Sequence, residues 1–124
     1  MSDHEPGPPV RLISLLRRRP GTTHADFLAH WHGTHGPLIA NSSAARYVRR
    51  YEQHPAAWPA AGTDSPDPEW DGVTVQEFDS VGAFWAHTAE PDFSIVQEDI
   101  ARFLDVDNIA WVLVEAPKIV IAAD

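Results

Sequence analysis

Apolar positions along the chain follow two periods. In VRLISLLR, Val10 to Arg17, they occupy both alternating sets, Val10/Leu12/Leu16 and Ile13/Leu15, which predicts a strand covered on both faces. IAWVLVE, Ile109 to Glu115, has the same character. Val73, Val75 and Phe78 mark a third strand. Ala45 to Gln53 mixes Tyr47, Val48 and Tyr51 with Arg46, Arg49 and Arg50 and reads as a fourth, with a charged edge or face. Elsewhere the spacing is helical. Phe27, Leu28, Trp31 and His35 fall on one side of a helix whose start carries Thr23 and, three positions on, Asp26, a relative of the capping box. Gly33, Gly36 and Pro37 break or kink that helix, which puts His35 at its end, with Pro37 to Asn41 adding one more turn. Asp79 or Ser80 caps a short helix from Val81 to Thr88, interrupted at Pro91. From Asp92 an amphipathic helix carries Phe93, Val96, Ile100, Phe103 and Leu104 on one stripe, with acidic residues between them.

The order is β-α-β, loop, β-α-β. It predicts an α+β, ferredoxin-like domain: a four-stranded antiparallel sheet with both helices on one face. The first and last strands are apolar on both sides, which calls for a second layer. Two such sheets packed face to face, pairing as a dimeric α+β barrel, would supply it. The domain is expected over residues 10–116, after a flexible N-terminal segment (1–9) and before a C-terminal tail (117–124) in which Lys118 to Ile121 adds a short extra strand. Pro55, Pro59, Pro66 and Pro68 make His54 to Asp71 a loop, either a lid or an exposed insertion.

Composition narrows the function. The chain has 124 residues, enough for one domain, and 44% of them are hydrophobic, enough for a core. Nine Lys and Arg against 18 Asp and Glu leave a net charge of −9, which disfavours nucleic acid and anionic membrane surfaces as partners. Without cysteine there are no disulfides, thiolate metal sites or Cys nucleophiles. No apolar run approaches the ~20 residues of a membrane span. The expectation is a soluble, cytoplasmic protein whose partners are a small hydrophobic or aromatic ligand and a second copy of itself.

The sharpest chemical feature is the run HADFLAHWHGTHGPL, with His24, His30, His32 and His35. Imidazole titrates near physiological pH, so one placed in an apolar pocket moves protons without a cofactor. His35 is the candidate, since it aligns with Phe27 and Trp31; the competing reading is a histidine packed in the core. His30 and His32 are expected to face solvent. A metal shared by His32 and His35 is the rival reading, but there is no HExxH, and a third ligand would have to come from Glu77, His87 or elsewhere; the favoured site has no metal and no cofactor. Trp31, Trp85 and Trp111 read as core or pocket wall, and Trp58 and Trp70 as lid or incidental surface residues. Tyr47 and Tyr51 are expected to share a sheet face, with hydroxyls in the pocket if it is the barrel face and packed under the helices otherwise. Glu77 aligns with Val73 and Val75; pointing into the barrel it would be a buried carboxylate with a raised pKa and a proton partner for His35, and otherwise an exposed acid. The arginine runs Arg17–Arg19 and Arg46, Arg49, Arg50 are solvated strand ends or holders of an anionic substrate.

RRRPGTTHADFLAHWHGTHGPLI resembles the opening signature of the EthD family: a strand ending in basic residues and Pro-Gly, then a helix with Phe27, Trp31 and His35-Gly36-Pro37. Asp71 to Val73, Phe78 to Ser80, the Phe84 helix and the acidic helix through Asp99, Phe103, Leu104 and Asp105 extend the likeness over residues 10–116. The resemblance implies a dimeric α+β barrel with a pocket between sheet and helices in each subunit, and a helix histidine, here His35, used as acid/base in some relatives. It spans cofactor-independent monooxygenases, cyclases, isomerases, dehydratases and members without known activity, so the fold does not choose the reaction. The expected function is a cofactor-independent lyase, isomerase or cyclase in which His35 moves a proton on a carbonyl-bearing or phenolic substrate, Tyr51 or Glu77 orients or relays, and Phe27, Trp31, Tyr47, Trp58, Trp85 and Trp111 form the binding wall. A cofactor-free monooxygenase and a non-catalytic dimeric binding protein are the alternatives. The proline loop and the tail depart from the family pattern.

Overall fold

In a computed structural model, residues 7–124 are described. Most of the expected N-terminal segment, residues 1–6, therefore lies outside the described residues. Strands β1 (Val10–Leu16), β2 (Val48–Pro55), β3 (Gly72–Phe78) and β4 (Ala110–Val114) form one antiparallel sheet in the order β2-β3-β1-β4. Helices α1 (His24–His30), α2 (Gly36–Ala40), α3 (Val81–Thr88) and α4 (Phe93–Phe103) connect them. This is the ferredoxin-like arrangement.

The helix starts follow the local chemistry. Thr23 and Asp26 close a reciprocal capping box, each side chain accepting from the other's backbone N–H at 3.0 and 3.1 Å. Ser80, not Asp79, caps α3 by accepting from the Ala83 N–H. The glycines do not break the first helix as expected. Trp31–His35 instead forms a π-helical turn that runs straight into α2, and Pro37 falls in the first turn of α2, where its missing N–H is no loss.

Strand periodicity decides what each sheet face carries. Val10, Leu12, Ser14 and Leu16 face the helices, as do Thr74, Gln76 and Phe78 opposite them, whereas Ile13, Leu15, Val73, Val75 and Glu77 face outward. The helix-side core is in two parts. Leu16, Phe27, Trp31, Phe103 and Leu104 form one; Val10, Phe78, Ala83 and Phe84 form the other. Trp31 reaches the sheet because position 72 is glycine, where a Cβ would stand 2.7 Å from the Trp31 ring.

Three further expectations are corrected. Tyr47 ends a 3-10 turn (Ser43–Tyr47) ahead of β2, so it is not the strand residue expected; it packs on the second, helix-side cluster, the same side on which Tyr51 stands opposite Gln76. The strand continues through His54 to Pro55, paired with Gly72, so the loop begins two residues late; proline is accommodated there as the last residue of an edge strand. Residues 118–121 form no strand, and Ile119, Val120 and Ile121 are exposed.

The proline loop is tied back onto the β1–α1 connection. Buried Asp71 accepts from the Arg18 amide (2.9 Å), the Arg18 guanidinium (3.0 Å) and His24 Nδ1–H (2.8 Å). Burial alone would raise its carboxyl; these bonds outweigh burial and hold it below the ordinary carboxylate range. Trp58 stacks on His24 with ring centroids 3.7 Å apart, and Arg17 lies over Trp70 at 4.1 Å.

Candidate active site

Between the two core clusters, sheet and helices enclose a cavity of about 460 Å³. Its floor comes from β1, β3 and β2 (Leu12, Ser14, Thr74, Gln76, Tyr51) and its walls from the helices (His35, His87, Val96, Phe103). Trp85 and Trp111 also line it yet remain 57% exposed, so they flank its opening.

The π turn sets the catalytic candidate. With five residues per hydrogen-bonded step it brings His30 and His35 to the same side of the helix, where both meet Asp99 of α4. His35 Nδ1–H donates to Asp99 Oδ2 at 2.8 Å, and His30 Nε2–H donates to Oδ1 at 2.9 Å. The Arg102 guanidinium stands 3.6 Å from Oδ1. His35 is 5% exposed and Asp99 1%. A carboxylate only accepts, so the bond to Asp99 places the His35 proton on Nδ1 and leaves Nε2 a free lone pair, with no partner among the described residues, on a ring that lines the cavity. Burial pushes the His35 imidazole below its ordinary value of 6.5, against the opposing pull of Asp99. Burial would raise the Asp99 carboxyl, but the bonds from His35 and His30 hold it below its ordinary value. At neutral pH the pair is therefore a neutral imidazole on a carboxylate, a base oriented from behind.

The other sequence candidates divide. Tyr51 lines the cavity, and its hydroxyl accepts from Gln53 Nε2–H at 3.1 Å; burial raises its pKa, so it stays protonated. Trp31, Trp85 and Trp111 line the cavity as well. Phe27 does not: it is core, packed on Trp31 with ring centroids 4.8 Å apart. Tyr47 packs on the second core cluster and under Arg46, outside the cavity, and Trp58 lies over His24. Glu77 is on the opposite sheet face, paired across the strands with Arg11 and Arg50, because the residue after Gln76 must point the other way. His32 turns outward and donates to Gln53 Oε1 at 2.6 Å, so His32 and His35 do not address one ion. His30, expected in solvent, is half-buried on Asp99 and stacked on Phe103. Neither arginine run lines the cavity: Arg17 pairs with Glu69, Arg18 with Asp71, Arg46 with Glu90, Arg49 with Asp79 and Arg50 with Glu52.

Sequence reasoning overlooked Asp99 as a site residue and offered His87 only as a possible metal ligand. Asp99 carries a legible signal, since it sits three residues after Val96 and four before Phe103, on the apolar stripe where an acid needs a partner.

The sequence profile of the EthD domain matches residues 19–107, well over half of the chain. The chain belongs to the EthD family. No curated protein matches this EthD chain in sequence. Among solved structures its fold is shared with a dimeric ferredoxin-like protein of unknown function from Thermobifida fusca (22% identity, 89% of this chain and 92% of that one, TM-score 0.64). A cofactor-independent oxygenase from Streptomyces nogalater, SnoaB, is similar over 92% of this chain and 98% of its own, at 12% identity and TM-score 0.60. A hydroxynitrile lyase from Passiflora edulis is similar over 93% and 98%, at 14% identity and TM-score 0.60. Among the described residues no helix of this EthD chain is long and apolar enough to cross a membrane.

Proposed function

We propose that this EthD-family protein is a cofactor-independent proton-transfer enzyme of the lyase, isomerase or cyclase type, with His35 as its general base. The observation that carries the reading is the buried His35–Asp99 pair with Nε2 free beside an apolar cavity. His35 Nε2 takes a proton from a carbon next to a carbonyl, or from a phenol, and Asp99 stabilises the imidazolium that forms. Tyr51, kept protonated by burial, donates a hydrogen bond to the oxygen on which negative charge develops. The same deprotonation would open a cofactor-free oxygenation, because an electron-rich phenolate is the species that reacts with dioxygen. Turnover of a panel of neutral phenols and diketones, in air and under nitrogen, separates the cases. Product under nitrogen is the expected result. Oxygen consumption with no anaerobic product would move the assignment to an oxygenase, and saturable binding without product to a binding protein.

A second copy completes the fold in this reading. Ile13, Leu15, Val73 and Val75 are only half-buried and Val112 is 50% exposed, all on the outward sheet face. An apolar face of this kind is covered in stable proteins. Sedimentation equilibrium at micromolar concentration is expected to give twice the 13.7 kDa chain mass; a monomer would leave that face in water and overturn the pairing.

A further inference from the structure

The floor of the cavity is polar where a helix-covered sheet is ordinarily apolar. Thr74 and Gln76 are 5% and 9% exposed and face the helices. Ser14 lies beside Thr74 across the sheet, and Tyr51 beside Gln76. Gln76 Oε1 is enclosed and has no hydrogen-bond partner among the described residues. Leaving a buried amide unpaired destabilises a fold, so the position calls for a reason.

Above this floor stands a second histidine that the proposed chemistry does not use. His87, 5% exposed, donates Nδ1–H to the Ala44 carbonyl at 2.8 Å, which leaves Nε2 as an acceptor without a partner among the described residues. Burial lowers its pKa, against the opposing bond to Ala44, so it too is neutral at pH 7. His87 packs on Phe78 of the second core cluster and His35 on Phe103 of the first, so the two imidazoles belong to opposite ends of the cavity. Among the described residues no Lys, Arg, Asp or Glu lines it.

We propose that His87 Nε2 and the Gln76 amide form a second recognition pole, which holds an O–H donor of a neutral aromatic substrate whose other end meets His35. Two neutral acceptors at the ends of an uncharged, aromatic-walled cavity select for donors at both ends of a flat molecule, as in a dihydroxylated ring system. An anionic carboxylate or phosphate finds no cation there and meets two lone pairs. The inference deepens the proposed function and rests on this cavity being the substrate site.

Calorimetric titration of the full chain with naphthalene-2,6-diol, its mono- and dimethyl ethers, and naphthoate tests it. The diol is expected to bind about 10-fold or more tighter than the dimethyl ether, and naphthoate more weakly than either. Gln76→Leu and His87→Phe should each weaken the diol about 5- to 10-fold and leave the dimethyl ether unchanged. Gln76→Leu should also raise the Tm by about 4 °C, since it removes an unpaired amide, a combination that a structural role would not produce. Should His87→Phe fail to fold for want of the Ala44 bond, Gln76→Leu carries the test. Undiminished diol affinity in Gln76→Leu, naphthoate binding as tightly as the diol, or no binding of any probe would overturn the pole. The two readings fail separately. Loss of the diol preference in His35→Gln alone removes the pole and keeps His35 in the site, whereas Gln76 and His87 effects with turnover intact in His35→Gln remove the catalytic assignment and keep the pole.

Discussion

Replacing His35 by glutamine is expected to lower turnover by about 100- to 10,000-fold, the range typical of a positioned general base. Glutamine retains a donor toward Asp99, so the buried carboxylate keeps a partner and the fold survives; what is lost is the basic lone pair of Nε2. The pH profile gives an independent reading. Burial favours the neutral imidazole, so the folded protein keeps His35 unprotonated down through its ordinary value of 6.5. The base is lost only as pH falls through the lowered pKa, and the acid limb of kcat/KM should therefore lie below pH 6.5. An unchanged rate in His35→Gln, with the variant folded, would remove His35 from the mechanism.

Trp31→Ala should produce the largest loss of stability, about 3–5 kcal/mol. The indole is 1% exposed, packs on Phe27 and lies directly over Gly72, where the sheet leaves room for it. Its removal opens a void beside a cavity of about 460 Å³ that already thins the core. For a chain of this length the loss corresponds to a fall in Tm of about 12–20 °C by calorimetry. A change within a few degrees would mean that Trp31 is wall rather than support.

The site is compact because one helical irregularity serves two purposes. In a regular α-helix, His30 and His35 would point in different directions. The π turn adds a residue, aligns both on Asp99 and lets the chain pass Gly33 and Pro37 without ending the helix. His35 thus sits within a continuous helical segment, held by its neighbours, rather than at the frayed end that Gly and Pro at this spacing suggest.

Local pattern by itself determined the element order, the Thr23–Asp26 cap, the amphipathic stripe of α4 and the ferredoxin-like fold, because apolar periodicity and capping chemistry act over a few neighbouring residues. The same local reading put Tyr47 on strand β2 with Tyr51 and offered Glu77, if it pointed into the barrel, as a proton partner for His35. A 3-10 turn ends at Tyr47 before β2 begins, and strand alternation turns Glu77 to the side that carries Arg11 and Arg50. The carboxylate behind His35, the open acceptor of His87 and the unpaired amide of Gln76 were decided only by tertiary structure. Each depends on partners from another element, 64 residues away for Asp99 and 43 for Ala44, and no spacing within a single helix or strand encodes which distant group will stand opposite.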